Sequence, residues 1–345
     1  MSVQSYHPSR RNDGAAARAM PSPAPRTAGW RPRRAMPLWS CIVRVRSFWR
    51  IGLRCSPAPT PMRWNPGHQS RHVEDRRGAG GGRPPGGGLR VGVGGMIVLL
   101  ILSLIFKRDF LSLAGGGGLA LDPAAASAPA GPVASSPAED SLVQFVSFVL
   151  DDAQGTWQQL FTARGTTYAP STLVLYRDVT PTACGTGQSA SGPFYCPADQ
   201  KVYVDLSFFD ELHRRFGAAG DFAQAYVLAH EIGHHIQTIT GTSQQVRQLQ
   251  QRDPSQANAL SVRLELQADC YAGVWAQSTA QRQLLERGDL QEGLTAAAAV
   301  GDDRLSQGRV SPESFTHGTS EQRMTWFRRG YDSGRPEDCN TFNAR

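Results

Sequence analysis

Residues 229–235 read Ala229-His230-Glu231-Ile232-Gly233-His234-His235. They lie in the middle of an apolar run that predicts a helix over residues 222–239. Side chains at positions i and i+4 of a helix lie on one face, so His230 and His234 can approach the same metal ion. Two neutral imidazoles with an open coordination position are typical of a catalytic zinc site. We therefore predict that both histidines are zinc ligands.

Glu231 directly follows the first of these histidines. A carboxylate in this position can act as the general base that takes a proton from a zinc-activated water and later returns it to the leaving amine. Short H-E-x-x-H runs also occur by chance, but a helical context is the one that this chemistry requires. The sequence therefore predicts Glu231 as the catalytic residue.

A third ligand is expected on a second helix, predicted over residues 256–280. Glu265 and Asp269 are four residues apart in this segment and share a face. Glu265 would complete a His2Glu ligand set for one Zn²⁺ per chain. Asp269 would accept a hydrogen bond from the far nitrogen of a ligand imidazole and so orient the ring. The alternative is a solvated helix face, but the apolar neighbours favour burial, where unpaired carboxylates are costly.

Four further side chains could reach the site. His317 lies in a small, polar loop before a predicted helix and is a possible transition-state donor, although a capping or loop-packing role is the alternative. His235 points about 100° away from its ligand neighbour around the helix, so we expect a structural role. Tyr203 and Tyr226 are alternative oxyanion donors, but aromatic residues at such spacings usually belong to the core.

The positive net charge of +7 is unevenly distributed. Residues 1–61 carry a net charge of +10 and residues 62–108 carry +6, which leaves −9 for residues 109–345. A basic surface is the electrostatic requirement for binding nucleic acid, and the part of the chain that can form a core is acidic. The distribution therefore argues against nucleic acid as a partner.

Four of the six cysteines lie in the part that can form a core: Cys184, Cys196, Cys270 and Cys339. This even number permits two disulfides if that part is exported. A Cys184–Cys196 bond would close a short loop, and a Cys270–Cys339 bond would fasten a helix to the C-terminus. Other pairings, and four buried reduced thiols, remain open from the sequence.

Residues 1–61 are rich in arginine and proline and lack a sustained apolar period, which predicts a disordered extension. Met62 begins the run Met62-Arg63-Trp64, which has the character of a natural start. We therefore hypothesise that translation begins at Met62. Residues 62–90 lead into a glycine-rich tract, whose composition is typical of a flexible linker rather than of a phosphate-binding loop.

The apolar segment at residues 91–113 is expected to be an uncleaved transmembrane anchor, with a cleaved signal peptide as the alternative. Arginine residues precede it, so the positive-inside rule places the N-terminus in the cytoplasm. The predicted location is the inner (plasma) membrane, crossed once, with the catalytic domain periplasmic or extracellular. Residues 114–140 form a second linker of alanine, glycine and proline.

A single domain is predicted at residues 141–339, followed by a short tail at 340–345. Its fold class is α+β, predominantly helical and zincin-like, with a few short strands. Besides the two site helices, the apolar periodicity predicts the following elements. Helices are expected at 141–163, 296–307 and 320–329, strands at 172–176 and 201–206, and a loop at 185–197.

Six blocks of sequence carry a family resemblance: residues 73–78, 192–197, 202–209, 230–235, 265–270 and 315–319. Together they resemble the bacterial neutral zinc metallopeptidases, a family of membrane-anchored H-E-x-x-H peptidases. The resemblance covers residues 62–339 and excludes 1–61, in agreement with a start at Met62. It implies a zinc-dependent peptidase-like domain and the roles given above for His230, His234 and Glu231. It implies no particular substrate.

These observations predict a membrane-anchored zinc metallopeptidase that hydrolyses a peptide or protein substrate. The alternative is a catalytically silent domain, tethered to the membrane, that binds metal or serves as a scaffold. An intact Glu231 argues against that alternative, because a site that had lost its activity would commonly lose its base. The oligomeric state is not predicted.

Overall fold

The structure is a computed structural model that describes residues 39–44, 52–57, 61–78, 135–189, 192–218 and 220–342. The chain divides into two compact units, Met1–Ala58 and Pro59–Arg345. In the first unit, strands β1 (Trp39–Arg44) and β2 (Gly52–Pro57) pair antiparallel, with Cys41 opposite Cys55. Both strands belong to the segment predicted as a disordered extension, and the rest of residues 1–60 lies outside the described ranges.

The second unit contains a four-stranded sheet whose strand order is β3, β4, β8, β7. These strands are β3 (Val73–Asp75), β4 (Thr172–Tyr176), β7 (Phe194–Cys196) and β8 (Lys201–Asp205). The three strands β3, β4 and β8 run parallel, and β7 runs antiparallel at the edge. A separate hairpin joins β5 (Val179–Thr182) to β6 (Gly185–Gln188). The predicted loop at 185–197 thus contains two short strands, β6 and β7.

Residues 61–78 belong to this folded unit, whereas the sequence predicted a separate segment over residues 62–90. Val73 of β3 lies opposite Leu173 of β4, and Met62 is only 2% exposed in the main core. Strands that pair in one sheet must lie on the same side of a membrane.

Helices make up most of the second unit. They are α1 (Pro137–Ala163), α2 (Ser207–Phe216), α3 (Asp221–Ile239), α4 (Thr242–Arg252), α5 (Ala257–Gln281), α6 (Asp289–Ala299), α7 (Asp302–Leu305) and α8 (Ser320–Ser333). Within the described ranges, no helix is long and apolar enough to cross a membrane, and the predicted anchor at 91–113 lies outside those ranges. The structure bears out a mostly helical α+β fold with a few short strands.

Several helices differ from the sequence prediction, which also lacked α4. The predicted helix at 296–307 is divided, since α6 ends at Ala299 and α7 begins after Gly301. A Cβ at Gly301 would approach the Ser320 side-chain oxygen to 2.6 Å, so the chain turns where only glycine fits. The amphipathic helix α2 was not predicted, although Phe209 and Leu212 are buried on one of its faces.

Small residues allow α3 and α8 to pack closely on α5. A Cβ added to Gly233 of α3 would come within 2.9 Å of the Ala268 backbone of α5. On the other side of α5, Gly273 and Gly330 bring its backbone against that of α8. These contacts fix α5 between the two helices. The large buried side chains Trp157, Trp275, Tyr226, Phe222 and Phe327 fill the surrounding core.

Candidate metal centre

The predicted ligands lie together on α3 and α5. One ligand atom from each of His230, His234 and Glu265 lies within 4.8 Å of the others. Nε2 of His230 is 3.2 Å from one carboxylate oxygen of Glu265, and Nε2 of His234 is 3.5 Å from the other. The two imidazole centroids are 4.8 Å apart, one helical turn along α3. The spacing predicted from i and i+4 positions therefore converges on one point.

The His230 ring is held from behind by a buried carboxylate. Nδ1 of His230 donates to an Asp269 oxygen at 2.8 Å, and Asp269 has no exposed surface. The Tyr226 hydroxyl also donates to Asp269, and Nε of Arg323 donates at 2.8 Å. These three donors fix the carboxylate, which in turn leaves Nε2 of His230 as the nitrogen free for a ligand bond.

The His234 ring is oriented by an amide chain rather than by a carboxylate. Its Nδ1 donates to the Gln237 side-chain oxygen at 2.9 Å. The amide nitrogen of Gln237 donates to the Leu264 carbonyl at 2.7 Å and to Gln267 at 3.1 Å. This chain of hydrogen bonds links α3 to α5. Because Nδ1 of His234 is bonded to Gln237, the ring presents its Nε2 to Glu265.

This arrangement fits a zinc ion. Two imidazole nitrogens and one carboxylate oxygen form the His2Glu donor set of catalytic zinc sites. Both imidazoles are fixed in the tautomer that offers Nε2, as the partners of Nδ1 require. The acidic group Asp221, Asp289 and Glu292 also brings three carboxylates together, but it offers oxygen ligands alone, which suits harder cations.

Glu265 and the imidazoles of His230 and His234 stabilise each other's charged forms. Burial alone would raise the pKa of Glu265, but the imidazoles of His234 and His230 outweigh it and hold the pKa well below its ordinary value. Burial opposes the charging of His230, yet Asp269 and Glu265 raise its pKa to about 9. Zinc binding would displace a proton from such a ring.

Glu231 lies in the wall of a cavity of about 600 Å³ that also contains the three ligand side chains. Its residue is 7% exposed, and burial raises the pKa of its carboxyl. Strand β7 and the start of α2 line the same cavity through Phe194 and Phe208. The cavity thus combines one carboxylate, the ligand trio and an apolar wall at the edge of the sheet.

His317 lines this cavity as well, on the loop before α8. Its Nδ1 donates to Asp302 at 3.1 Å, and this hydrogen bond raises the pKa of His317. The other Asp302 oxygen accepts from the backbone amides of Thr316, His317 and Gly318 at 2.7–3.1 Å. The loop therefore has the packing role considered from sequence and also places the imidazole at the site.

The other side chains considered from sequence have structural partners. His235 is fully buried and is bonded to the Tyr195 hydroxyl at 3.1 Å and to the Ala169 carbonyl at 2.6 Å, as expected for a structural histidine. Tyr226 lines the cavity, but its hydroxyl donates to Asp269. Tyr203 donates to Asp199 at 2.7 Å on the sheet. The structure therefore places neither tyrosine as an oxyanion donor.

Two site residues were not anticipated from sequence. Gln237 is three positions after His234, so helical spacing alone could have indicated the contact. Arg323 comes from α8, far along the chain, and is 3% exposed against Asp269. In the local sequence, only its position four residues before Phe327, on the same face of α8, indicates that Arg323 is buried.

Both cysteine pairs considered from sequence are bonded. Cys184–Cys196 joins two loop ends 12 residues apart, and Cys270–Cys339 joins residues 69 apart. Cys270 directly follows Asp269 on α5, and the Cys339 carbonyl accepts from Gln267 at 3.1 Å. The second disulfide therefore holds the C-terminal segment against the helix that carries the third ligand.

Comparisons with known proteins identify the family of this chain. A family model described as "Putative neutral zinc metallopeptidase" matches residues 62–342. The uncharacterized protein YpfJ of Escherichia coli strain K12 is 51% identical over 290 residues, which cover 81% of this chain and 99% of YpfJ. The uncharacterized protein Rv2575 of Mycobacterium tuberculosis strain H37Rv is 48% identical over 177 residues, 47% of this chain and 59% of that protein. No solved structure matches. The chain belongs to the neutral zinc metallopeptidase family.

Proposed function

We propose that this protein hydrolyses peptide bonds, with zinc held by His230, His234 and Glu265 and with Glu231 as the general base. One observation carries the proposal. Two imidazole nitrogens and a carboxylate converge within 4.8 Å, and the Glu231 side chain lies in the wall of the same cavity. This combination is the one that metal-assisted amide hydrolysis requires.

Zinc in this position would supply Lewis acidity to the scissile carbonyl and to the attacking water. The protein supplies the remaining steps. Glu231 takes a proton from the attacking water and returns it to the nitrogen of the leaving amine. Asp269 and Gln237 hold the two ligand rings in one tautomer throughout. The imidazole of His317 would donate a hydrogen bond to the oxyanion as it forms.

A peptide substrate is favoured by the cavity wall. Strand β7 is the edge strand of the sheet and contributes to that wall. An extended peptide can pair with such an edge through its backbone, so its binding would not depend on one side chain. Phe194 and Phe208 would receive apolar side chains of the substrate.

We also propose a location outside the cytoplasm. Two disulfides in the domain are stable only in an oxidising compartment. Attachment to the membrane through residues 91–113 remains part of this proposal, with a topology that leaves β3 and β4 on the same side.

The test combines metal analysis and peptide hydrolysis on the full chain. We expect about one zinc per chain, in keeping with a single three-ligand site. Glu231→Gln should keep the zinc and lose hydrolysis of a synthetic peptide library by at least about 10²–10⁴-fold, the usual contribution of a general base. Glu321→Gln, on the exposed face of α8, is the matched control and should leave both unchanged.

Two results would contradict the proposal. Wild-type protein that carries zinc but cuts no peptide would support the alternative of a silent metal-binding domain. Protein purified without zinc, and unable to take it up, would remove the metal site itself.

A further inference from the structure

A buried acidic cluster lies at the N-terminus of α3, away from the metal ligands. Asp221 of α3 and Asp289 and Glu292 of α6 each bring a carboxylate oxygen within 4.8 Å of the others, and we call them the acidic trio. Asp289 has no exposed surface. One oxygen of Asp221 and one of Asp289 are buried and find no hydrogen-bond partner in the described part of the chain. The trio is therefore an incomplete polar site.

Electrostatics indicate what the acidic trio lacks. Burial raises the pKa of Asp289 to about 6 and that of Glu292 to about 7. The charged side chains that act on Asp289 are themselves acids, Asp221 and Glu286. Glu286 forms an ion pair with Arg63, so the positive charge of Arg63 is already compensated by Glu286. Backbone amides of Glu286 and Phe222 donate to the trio, but an amide carries no net charge.

Besides the Glu286 amide, a second backbone nitrogen lies at the trio from outside the two helices. This nitrogen belongs to Met62, whose backbone N–H acts on Asp221 to lower the pKa of a carboxyl that burial raises. Its position is fixed on both sides, because the Met62 side chain is 2% exposed in the main core and the amide of Arg63 donates to the Leu284 carbonyl at 2.7 Å. Pro61, by contrast, is exposed.

We propose that the acidic trio is a binding site for a free α-amino group, that of Met62, in a chain that begins at this residue. An amide at this place offers one N–H, whereas an α-ammonium offers three and a full positive charge. The ordinary pKa of an α-amino group is about 7.7–8.0, so it is charged at neutral pH, and the trio would keep it so. The family match also begins at residue 62.

Gly220 is part of this site. Its φ is +113°, and a Cβ there would collide with the Glu292 carboxylate. Glycine at this position therefore allows Glu292 to approach the start of α3. The α3 N-terminus itself favours negative charge. Binding of the amine would thus fix the first turn of the helix that carries His230 and Glu231.

The stability of the folded protein depends on pH in opposite ways in the two forms of the chain, with and without a residue before Met62. When Met62 is preceded by another residue, Asp289 and Glu292 keep raised pKa values in the folded state. Their contribution to stability is then present below their unfolded pKa and is lost as the pH rises through about 6 to about 7. A free ammonium at Met62 would prevent this loss, since it stabilises the charged carboxylates.

The experiment compares melting temperatures of two chains that both keep residues 79–134. One begins at Met62, and the other carries a single glycine before Met62, both released from a cleavable fusion. At pH 7.5 we expect the Met62 chain to melt at least about 3 °C higher, a shift of ordinary size for one buried ion pair in a domain of this length. At pH 5 the difference should shrink. Equal melting temperatures at pH 7.5 would overturn the proposal.

Glu292→Gln is the variant that separates this site from a general effect of chain length. With one charge removed, the two chain forms should melt closer together than in the wild type; an unchanged difference would contradict the assignment.

A divalent cation is the competing occupant, because it also takes carboxylate oxygens. A rise in melting temperature of the Met62 chain with Ca²⁺ or Mg²⁺, in zinc-saturated protein, would replace the amine with a metal.

Protein isolated from its natural host shows directly at which residue the chain begins. N-terminal peptide mapping should find Met62 with a free amine, and a peptide from residues 1–61 would overturn the proposal. Mass and melting temperature do not depend on hydrolysis, so these results stand apart from the peptidase assignment.

Discussion

Gly233→Ala is the substitution whose effect follows most directly from the structure. A Cβ at this position would lie 2.9 Å from the Ala268 backbone, whereas ordinary contact begins at 3.4 Å. Backbone atoms cannot rotate away as side-chain ends do, so α3 and α5 must separate by about 0.5 Å. The zinc ligands lie on these two helices, and their distances tolerate about 0.2 Å. We expect zinc affinity to fall about tenfold or more.

The effect on stability should be smaller, because two contributions oppose each other. Alanine in place of glycine inside a helix favours folding by about 1 kcal/mol. Overpacking costs about 1–3 kcal/mol. The free energy of unfolding of the metal-free protein should therefore fall by about 0–2 kcal/mol. A large loss of zinc affinity with a small loss of stability is the expected signature of displaced ligands.

Gly155→Ala is the matched control, since Gly155 lies inside α1 and a Cβ there would meet nothing within 4 Å. This change should stabilise the protein by about 1 kcal/mol and leave zinc binding unchanged. Chelator competition measures the zinc dissociation constant, and denaturant unfolding in excess chelator measures stability. If Gly233→Ala binds zinc as tightly as Gly155→Ala does, the close approach of α3 and α5 does not set the ligand geometry.

Three further predictions follow from the same contacts. Replacing the Cys270–Cys339 pair with serine opens a connection over 69 residues and should cost about 4 kcal/mol in denaturant unfolding, whereas a loss under 1 kcal/mol would contradict the role given to this bond. Removal of zinc by a chelator should lower the melting temperature, and zinc at about 100 times its dissociation constant should restore about 2.7 kcal/mol; an unchanged melting temperature would argue against a ligand set that folds with the domain. Cysteines introduced at exposed Gln69 and Gln291 should react alike with a membrane-impermeant maleimide in intact cells, because β3 and the helices form one unit, and opposite reactivity would show that β3 leaves the sheet.

The local sequence was sufficient for α3, α5 and α8 and for most of the metal centre. Apolar periodicity located α3, α5 and α8 to within a few residues, because their buried faces repeat with the helical period. The spacing of His230 and His234, and of Glu265 and Asp269, placed each pair on one face. The two helices then needed only to pack face to face, which Gly233 permits.

Contacts between distant segments could not be read in this way. A three-residue strand such as β3 has no measurable period, and its glycine-rich surroundings resembled a linker, so its place in the sheet emerged only from pairing with β4. Arg323 meets Asp269 because α8 crosses α5, a geometry set by glycines on both helices. The sequence around these residues does not indicate that α8 crosses α5.

The side chains that could hold zinc were evident from sequence alone, since ligand type and helical spacing are local properties. The tertiary structure decided how those side chains are oriented, through Asp269, Gln237 and Arg323. It also decided that Met62 and β3 belong to the folded unit. The physical reason is the same in each case: burial and pairing energies depend on what the rest of the chain brings to a residue, and that is fixed only when the helices and the sheet pack.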